Sequence, residues 1–178
     1  MAHVIEAAAT GRAKCRGCGG GIAGGELRFG ERLPNPFAEG EMTHWFHLDC
    51  ASLKRPEPFL ETLAAWGQPL DGRERLESEA KLGLAHRRLP RVDGAERASS
   101  GRAQCRSCRE PIVKDAWRIR LVFYEEGRFT PSGYVHPRCA RAYFDTADVL
   151  PRVRRFAPDL RDEEAEEIGR ELSASAPA

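Results

Sequence analysis

The sequence predicts a small α+β fold occurring twice in tandem, each copy built from antiparallel strands and short helices and the two joined by a partly helical linker. Two observations support this. The octapeptide GRAKCRGC at residues 11–18 returns as GRAQCRSC at residues 101–108 with six of eight positions identical. The segments GELRFGERL and AWRIRLVFYEEGRFTP alternate polar and apolar residues, as strands do, and a short apolar-patterned run typical of a helix follows each repeat.

The six cysteines and two histidines fall into two sets with matching spacing. In each set a C-x-x-C pair is followed, after 28 or 27 residues, by His-x-x-Cys. The members are Cys15, Cys18, His47 and Cys50 in the first set, and Cys105, Cys108, His136 and Cys139 in the second. Three thiolates and one imidazole complete a tetrahedral zinc site. We therefore predict two Zn²⁺ per chain, the alternative being buried cysteines without a metal.

The remaining histidines are weaker candidates for metal ligands. His44 lies three residues before His47, but only His47 reproduces the His-x-x-Cys spacing of the second set. His3 and His86 lie in a terminal and a charged segment, and we expect both to be solvated.

Composition limits the classes of protein. The chain has 178 residues, 31% of them charged, with a mean hydropathy of −0.53. It has no apolar run near the roughly 20 residues of a membrane span, and its first residues lack the layout of a secretory signal. We expect an intracellular protein, in the cytoplasm or nucleoid of a bacterium or the nucleus of a eukaryote, where cysteines stay reduced.

The repeats suggest domain limits. We predict an N-terminal tail at 1–9, a first zinc domain at 10–66, a second at 101–156, and an acidic tail at 157–178 that ends in a disordered SASAPA. The linker at 67–100 is expected to hold a helix interrupted at Gly83, and PRVDGAERASSG is expected to be a flexible tether.

Charge is unevenly distributed along the chain. Residues 97–156 hold 13 Lys or Arg against 6 Asp or Glu, residues 10–66 hold 7 of each, and residues 157–178 hold 2 against 7. A basic domain beside an acidic tail suits binding to a phosphate backbone, although ordinary solvated arginines would give the same counts.

The residues quoted above resemble a known family. The order GRA, C-x2-C, an isoleucine four residues on, a Leu-Arg or Trp-Arg strand and aromatic-x-His-x2-Cys is similar to the zinc finger of poly(ADP-ribose) polymerases (PARPs) and of a nick-sensing DNA ligase. The resemblance covers residues 10–66 and 100–150, about 60% of the chain. No segment here is long enough for the polymerases' catalytic domain. The resemblance implies a zinc finger that grips the DNA backbone near a break and stacks apolar side chains on the exposed base pair.

The resemblance also nominates DNA-binding residues. Phosphate contacts are expected from the arginine before the first cysteine, Arg12 or Arg102, and from the strand arginine, Arg28 or Arg118. Arg120 lies two positions after Arg118 and is expected to share its strand face. Base stacking is expected from Phe37 and Met42 around Gly40 in the first repeat, the alternative for each candidate being a minor packing role. In the second repeat Phe129 is the candidate, with Val135 as a further one.

Function follows as a prediction. We expect a DNA-binding protein that recognises strand breaks or ends, with nicked or ended duplex as its partner. In this prediction the second domain supplies most backbone affinity and the first most preference for an exposed base. A zinc-stabilised protein-interaction or RNA-binding adaptor is the alternative. An enzyme is disfavoured because a zinc site of four protein ligands has no open position, and GCGGGIAGG lacks the lysine of a phosphate-binding loop.

Overall fold

The structure, a computed structural model, describes residues 2–174, and these divide into two compact units. Unit 1 runs up to Ala85 and unit 2 begins at His86. Each unit contains a three-stranded antiparallel sheet with helices and one cluster of three cysteines and one histidine. The predicted fold class, tandem small α+β domains, is confirmed.

Unit 1 has the sheet order β1-β2-β3, followed by helices. Its elements are β1 (Val4–Ala7), β2 (Leu27–Pro34), β3 (Glu41–His47), α1 (Leu48–Lys54), α2 (Pro56–Ala65) and α3 (Arg73–Ala85). Pro56 stands at the first position of α2, where a missing backbone N–H costs nothing, and this separates α2 from α1. The core is aromatic, because the Phe29 ring meets Phe59 edge-on at 5.7 Å and Phe46 at 6.1 Å.

Unit 2 repeats the sheet as β4-β5-β6. Its elements are β4 (Val92–Arg97), β5 (Trp117–Glu125), β6 (Arg128–Val135), α4 (Ala140–Phe144), α5 (Leu150–Phe156) and α6 (Asp162–Ser173), with 3₁₀ turns at Leu89–Arg91 and Pro137–Cys139. Glu126 and Gly127 connect β5 to β6 with φ of 48° and 77°. Two residues in the left-handed region make the tight hairpin connection that matches strand twist.

The stretch predicted as a linker is divided between the two units. Residues 73–85 form α3, which packs on α1 and α2 through buried Leu76, Ala80 and Gly83. The predicted interruption at Gly83 is wrong, because the glycine is buried where the helix packs, and α3 continues to Ala85.

The prediction of a flexible tether at residues 90–101 is also wrong, since β4 lies within it and pairs with β5. Gly94 explains why this strand looked like a loop. Its φ is 92°, and a Cβ there would lie 2.5 Å from the Phe156 carbonyl oxygen, so only glycine lets β4 approach α5 so closely.

The two stretches predicted as tails also contribute elements to the fold. β1, inside the predicted tail at 1–9, pairs with β2 from Val4↔Gly30 to Ala7↔Leu27. In the predicted acidic tail, α6 buries Ala165, Ile168 and Leu172, which recur at helical spacing on one face. Of the SASAPA end, residues 175–178 lie outside the described residues.

Candidate metal centres and flanking surface

The first metal cluster joins the turn after residue 14 to the junction of β3 and α1. The ligand atoms of Cys15, Cys18, His47 and Cys50 lie within 4.8 Å of one another. His47 Nδ1 is 3.4 Å from Cys18 Sγ and 3.8 Å from Cys50 Sγ. Zinc–sulfur and zinc–nitrogen bonds in a tetrahedron place such atoms about 3.5 Å apart, so the donors fit a shared zinc ion.

The second cluster repeats the first. Cys105, Cys108, His136 and Cys139 also have their ligand atoms within 4.8 Å of one another. His136 Nδ1 lies 3.5 Å from Cys108 Sγ and 3.9 Å from Cys139 Sγ. The donor sets of the two clusters thus fit two zinc ions, as the spacing predicted.

Hydrogen bonds orient the ligands in both clusters. His47 Nε2 lies 3.0 Å from the Gly21 carbonyl oxygen, to which it donates when Nδ1 carries the metal. The backbone N–H of His47 donates to Cys15 Sγ, and that of His136 to Cys105 Sγ, both at 3.4 Å. Charge on the sulfurs is therefore stabilised by the backbone before a metal contributes.

Acid–base properties differ among the thiols. The hydrogen bond from Cys50 lowers the pKa of Cys15 to about 5, so this sulfur is a thiolate at neutral pH. Burial and the adjacent Cys105 raise the pKa of Cys139 to about 12. A divalent cation reverses the second effect, because a coordinated thiol loses its proton outright.

His44 lies outside the first cluster. Its ring is 4% exposed, Nε2 is 3.4 Å from Arg16 Nη2, and burial lowers its pKa. Choosing His47 over His44 as the ligand agrees with this placement.

Residues 6–86, most of unit 1, match the family described as the poly(ADP-ribose) polymerase and DNA-ligase Zn-finger region. This part of the chain is similar to a PARP-type zinc finger. Unit 2 repeats the octapeptide and the Cys₃His cluster of unit 1.

Several curated PARPs are similar to the chain. The poly(ADP-ribose) polymerase of Sarcophaga peregrina is 28% identical over 138 residues, covering 68% of this chain and 14% of that protein. Poly(ADP-ribose) polymerase 1 of Danio rerio is 27% identical over 193 residues, covering 97% of this chain and 19% of its own length. Poly(ADP-ribose) polymerase 1 of Caenorhabditis elegans is 37% identical over 54 residues, 30% of this chain and 6% of that protein.

The chain thus spans less than a fifth of the length of these relatives. They are animal proteins and give no support to a bacterial, nucleoid location. Within residues 2–174, no helix combines the length and apolar character that crossing a membrane requires.

The C-x-x-C turn of each unit, at residues 15–18 and 105–108, is called the zinc knuckle here. The arginines around each zinc knuckle are exposed. Arg12 and Arg102 occupy matching positions and form no ion pair among the described residues. Arg16 and Arg106, directly after the first cysteine, are exposed too, and Arg106 donates to the Ser132 carbonyl at 3.0 Å. Sequence reasoning missed this second pair, although the Cys-Arg dipeptide recurs in both octapeptides.

Two of the three strand arginines predicted to contact DNA, Arg28 and Arg118, are instead buried. Arg28 is 9% exposed, donates to Glu6 at 2.7 Å and lies 3.5 Å from the centre of the Trp45 ring. Arg118 is 7% exposed, donates to Glu96 at 2.5 Å and lies 3.7 Å from the Tyr134 ring. Each guanidinium thus holds the sheet together through a carboxylate and a ring, and contact with a phosphate from these positions stays a prediction.

Arg120 has a further internal role. Its guanidinium donates to the carbonyls of Asp93 and Phe156, at 2.7 Å and 3.2 Å, and to Glu96 at 3.3 Å. It thereby joins β4, β5 and the end of α5. This role could not be predicted from the repeat, because the matching position in the first repeat is Gly30, over which Trp45 packs.

The two stacking candidates of unit 1 lie at the tip and base of one loop. Phe37 is 80% exposed, between β2 and β3. The loop is closed by the Asn35 N–H donating to Gly40, and the Phe37 N–H donates to Asn35 Oδ1, both at 3.0 Å. Met42 is half-buried in β3 opposite Leu33. An aromatic ring is therefore presented to solvent by a hydrogen-bonded loop.

The candidates of unit 2 are less accessible. Phe129 is half-buried, with its ring 4.7 Å from that of Tyr124, and Val135 is fully buried. The exposed ring of this finger is Phe123, which sequence reasoning overlooked and which is 45% exposed on β5. Sequence reasoning overlooked Phe123 because it lies near the end of β5, where polar and apolar residues no longer alternate.

Proposed function

We propose that the chain is a zinc-dependent DNA-binding protein that recognises strand breaks or ends. The observation that carries the proposal is Phe37, an aromatic side chain 80% exposed at the tip of a closed loop. An exposed ring serves no packing role, but it stacks well on a base face. Intact duplex covers its base faces with neighbouring base pairs, whereas a nick or end uncovers one.

Backbone affinity in this proposal comes from the exposed arginines of the zinc knuckles. Arg12 and Arg102, with Arg16 and Arg106, lack carboxylate partners among residues 2–174, so their charge is available to phosphates. Each phosphate contact releases counterions, and affinity then falls as salt rises. The knuckles bind any duplex, and the ring of Phe37 adds the preference for a break.

Binding without catalysis is the chemistry that the metal sites favour. Each cluster supplies four protein donors, which leaves zinc no position for water or substrate. Zinc here stabilises the fold and positions the knuckle arginines beside it, and the PARP reaction is not proposed for this chain.

The test compares three DNA molecules of one sequence. A covalently closed circular duplex has no ends, the same circle with one nick has one break, and the linear form has two ends. We expect wild-type chain to bind the nicked and linear forms at least about tenfold more tightly than the closed circle, as one stacked base provides. Equal affinity for all three would contradict break recognition, and absence of binding at low salt would favour the protein-interaction adaptor.

A further inference from the structure

Phe123 in unit 2 presents a ring to solvent at a place that the family resemblance did not nominate. It lies near the end of β5, pairs across the sheet with Thr130 and is 45% exposed. The register shifts just before it, between Leu121 and Val122. Such irregularities redirect the side chains that follow. The neighbouring rings Tyr124 and Phe129 instead pack on each other.

Arg91 lies beside this ring and carries an uncompensated charge. Its guanidinium carbon is 4.6 Å from the centre of the Phe123 ring, and the residue ends the 3₁₀ turn Leu89–Arg91. It forms no ion pair with any residue of the described part of the chain. The Arg91 side chain is half-buried, and its guanidinium can still contact an external anion.

Three other stacked arginines differ from this arrangement, whereas a fourth, Arg88, lies 4.8 Å from the centre of the Tyr143 ring and donates to the Tyr143 carbonyl at 3.2 Å. Arg28 on Trp45, Arg97 on Trp117 and Arg118 on Tyr134 each hold a carboxylate as well, from Glu6, Glu167 and Glu96 respectively. Those three pairs are complete within the fold. Arg91 and Phe123 have the cation and the ring, but the anion is missing.

From this we propose that Phe123 and Arg91 bind one unpaired nucleotide of single-stranded DNA, the base on the ring and the phosphate at the guanidinium. The inference deepens the proposed function, on which it rests. A ring and an adjacent cation match the two chemical parts of a nucleotide. Glu125 and Glu126 at the hairpin tip disfavour a phosphate there, so the strand approaches from the side of Arg91.

We expect the site formed by Phe123 and Arg91 to bind single-stranded DNA, because duplex DNA has no free base face for the ring. Within a duplex every base face is stacked, and at a nick one face is exposed, to which Phe37 is assigned. An unpaired base in a gap or overhang is free to leave the stack and lie on a second ring. Unit 2 then distinguishes breaks with unpaired nucleotides from simple nicks.

The experiment uses the full chain and two DNA circles, one nicked and one with a short single-stranded gap carrying 2-aminopurine. Affinity is measured by titration, and stacking by quenching of the 2-aminopurine fluorescence. The variants are Phe123→Ala, Phe123→Leu, which keeps an apolar side chain without the ring, and Arg91→Gln. Val113→Ala is the matched control, because Val113 is a 65% exposed apolar residue of the same unit. Each variant is first shown to hold two zinc ions.

We expect wild-type chain to prefer the gapped circle and Phe123→Ala to lose about tenfold on that circle alone, together with the quenching. Phe123→Leu should lose the quenching too, and Arg91→Gln should reduce the salt slope on gapped DNA by about 0.7. Val113→Ala should behave as wild type.

Two results overturn the inference while leaving the proposed function standing. One is a wild-type chain that prefers nicked to closed DNA but does not distinguish gapped from nicked. The other is a Phe123→Ala variant that binds gapped DNA and quenches as wild type does. A wild-type chain with no preference for any break contradicts the proposed function itself.

Discussion

The two fingers share their metal clusters and differ in the hairpin that leads into the histidine. In unit 1 β2 and β3 are joined by a loop at residues 35–40 that exposes Phe37, whereas in unit 2 β5 and β6 are joined by the two residues Glu126 and Gly127. Zinc coordination holds the end of the second strand of each hairpin, through His47 or His136, but not the hairpin tip. The metal cluster therefore determines the fold that the two units share, whereas the surface available to a ligand depends on the few residues that connect the strands.

The units also differ in charge once their limits are taken from the structure. Unit 1 has 10 Lys or Arg against 12 Asp or Glu, a net −2, and unit 2 has 18 against 15, a net +3. The contrast has the same sign as in the sequence-based domains but is smaller, because α6 adds six acidic residues and one arginine to unit 2. We therefore still expect unit 2 to supply most of the salt-sensitive affinity.

Removing one metal ligand gives the largest expected effect. Zinc binding to small finger domains contributes apparent free energies of about 10–16 kcal/mol, far more than a small domain's own stability. Cys15→Ala should therefore unfold unit 1 and Cys105→Ala unit 2, each leaving one zinc per chain. Elemental analysis and backbone NMR measure this. If either variant lost both metals, the two units would not be independent.

The buried arginines give the next largest effect and a direct comparison between units. Glu6→Gln removes the carboxylate of Arg28 and should destabilise unit 1 by about 1 kcal/mol, since Glu6 is well exposed. Glu96→Gln should cost unit 2 about 2 kcal/mol, because Glu96 holds both Arg118 and Arg120. Amide hydrogen exchange of β2 and β5 measures each unit within the intact chain. Equal costs would show that Arg120 depends on its carbonyl partners alone.

Phe37→Ala tests whether recognition of a break belongs to unit 1. Loss of a stacking surface should reduce discrimination between nicked and closed circular DNA about tenfold, with binding to the closed circle unchanged. Titration of zinc-replete protein measures both affinities, and Phe129→Ala in the tight hairpin of unit 2 serves as the comparison. A variant that weakened binding to both circles equally would remove the stacking role.

Single knuckle arginines give the smallest effect. Arg12→Gln and Arg102→Gln should each lower affinity for nicked and closed DNA alike and reduce the salt slope by about 1. Because Arg12 and Arg102 are exposed, we expect these substitutions to change the stability of the fold little, and thermal unfolding measures that change. Unchanged slopes would mean that phosphates are bound elsewhere, with Arg16 and Arg106 as the next positions to test.

Spacing predicted the metal clusters well because ligand chemistry is local and specific. Cys15, Cys18, His47 and Cys50 lie together as the pattern required. The limits of the units could not be predicted in the same way, because β4 depends on a glycine at φ 92° that reads as a loop signal. The role of Arg28 was equally hidden. An arginine in a strand looks the same in sequence whether it faces solvent or a glutamate on the neighbouring strand, and only tertiary pairing decides.

The glutamates of the two edge strands bear on the ancestry of the repeat. Glu6 and Glu96 are separated by ninety residues, the same interval that separates Cys15 from Cys105 and Arg28 from Arg118. A duplication that began at the shared GRA octapeptide would have left one arginine without its acid. The repeated unit therefore includes the edge strand that carries the glutamate, and a fragment that starts at residue 101 omits the carboxylate partner of Arg118.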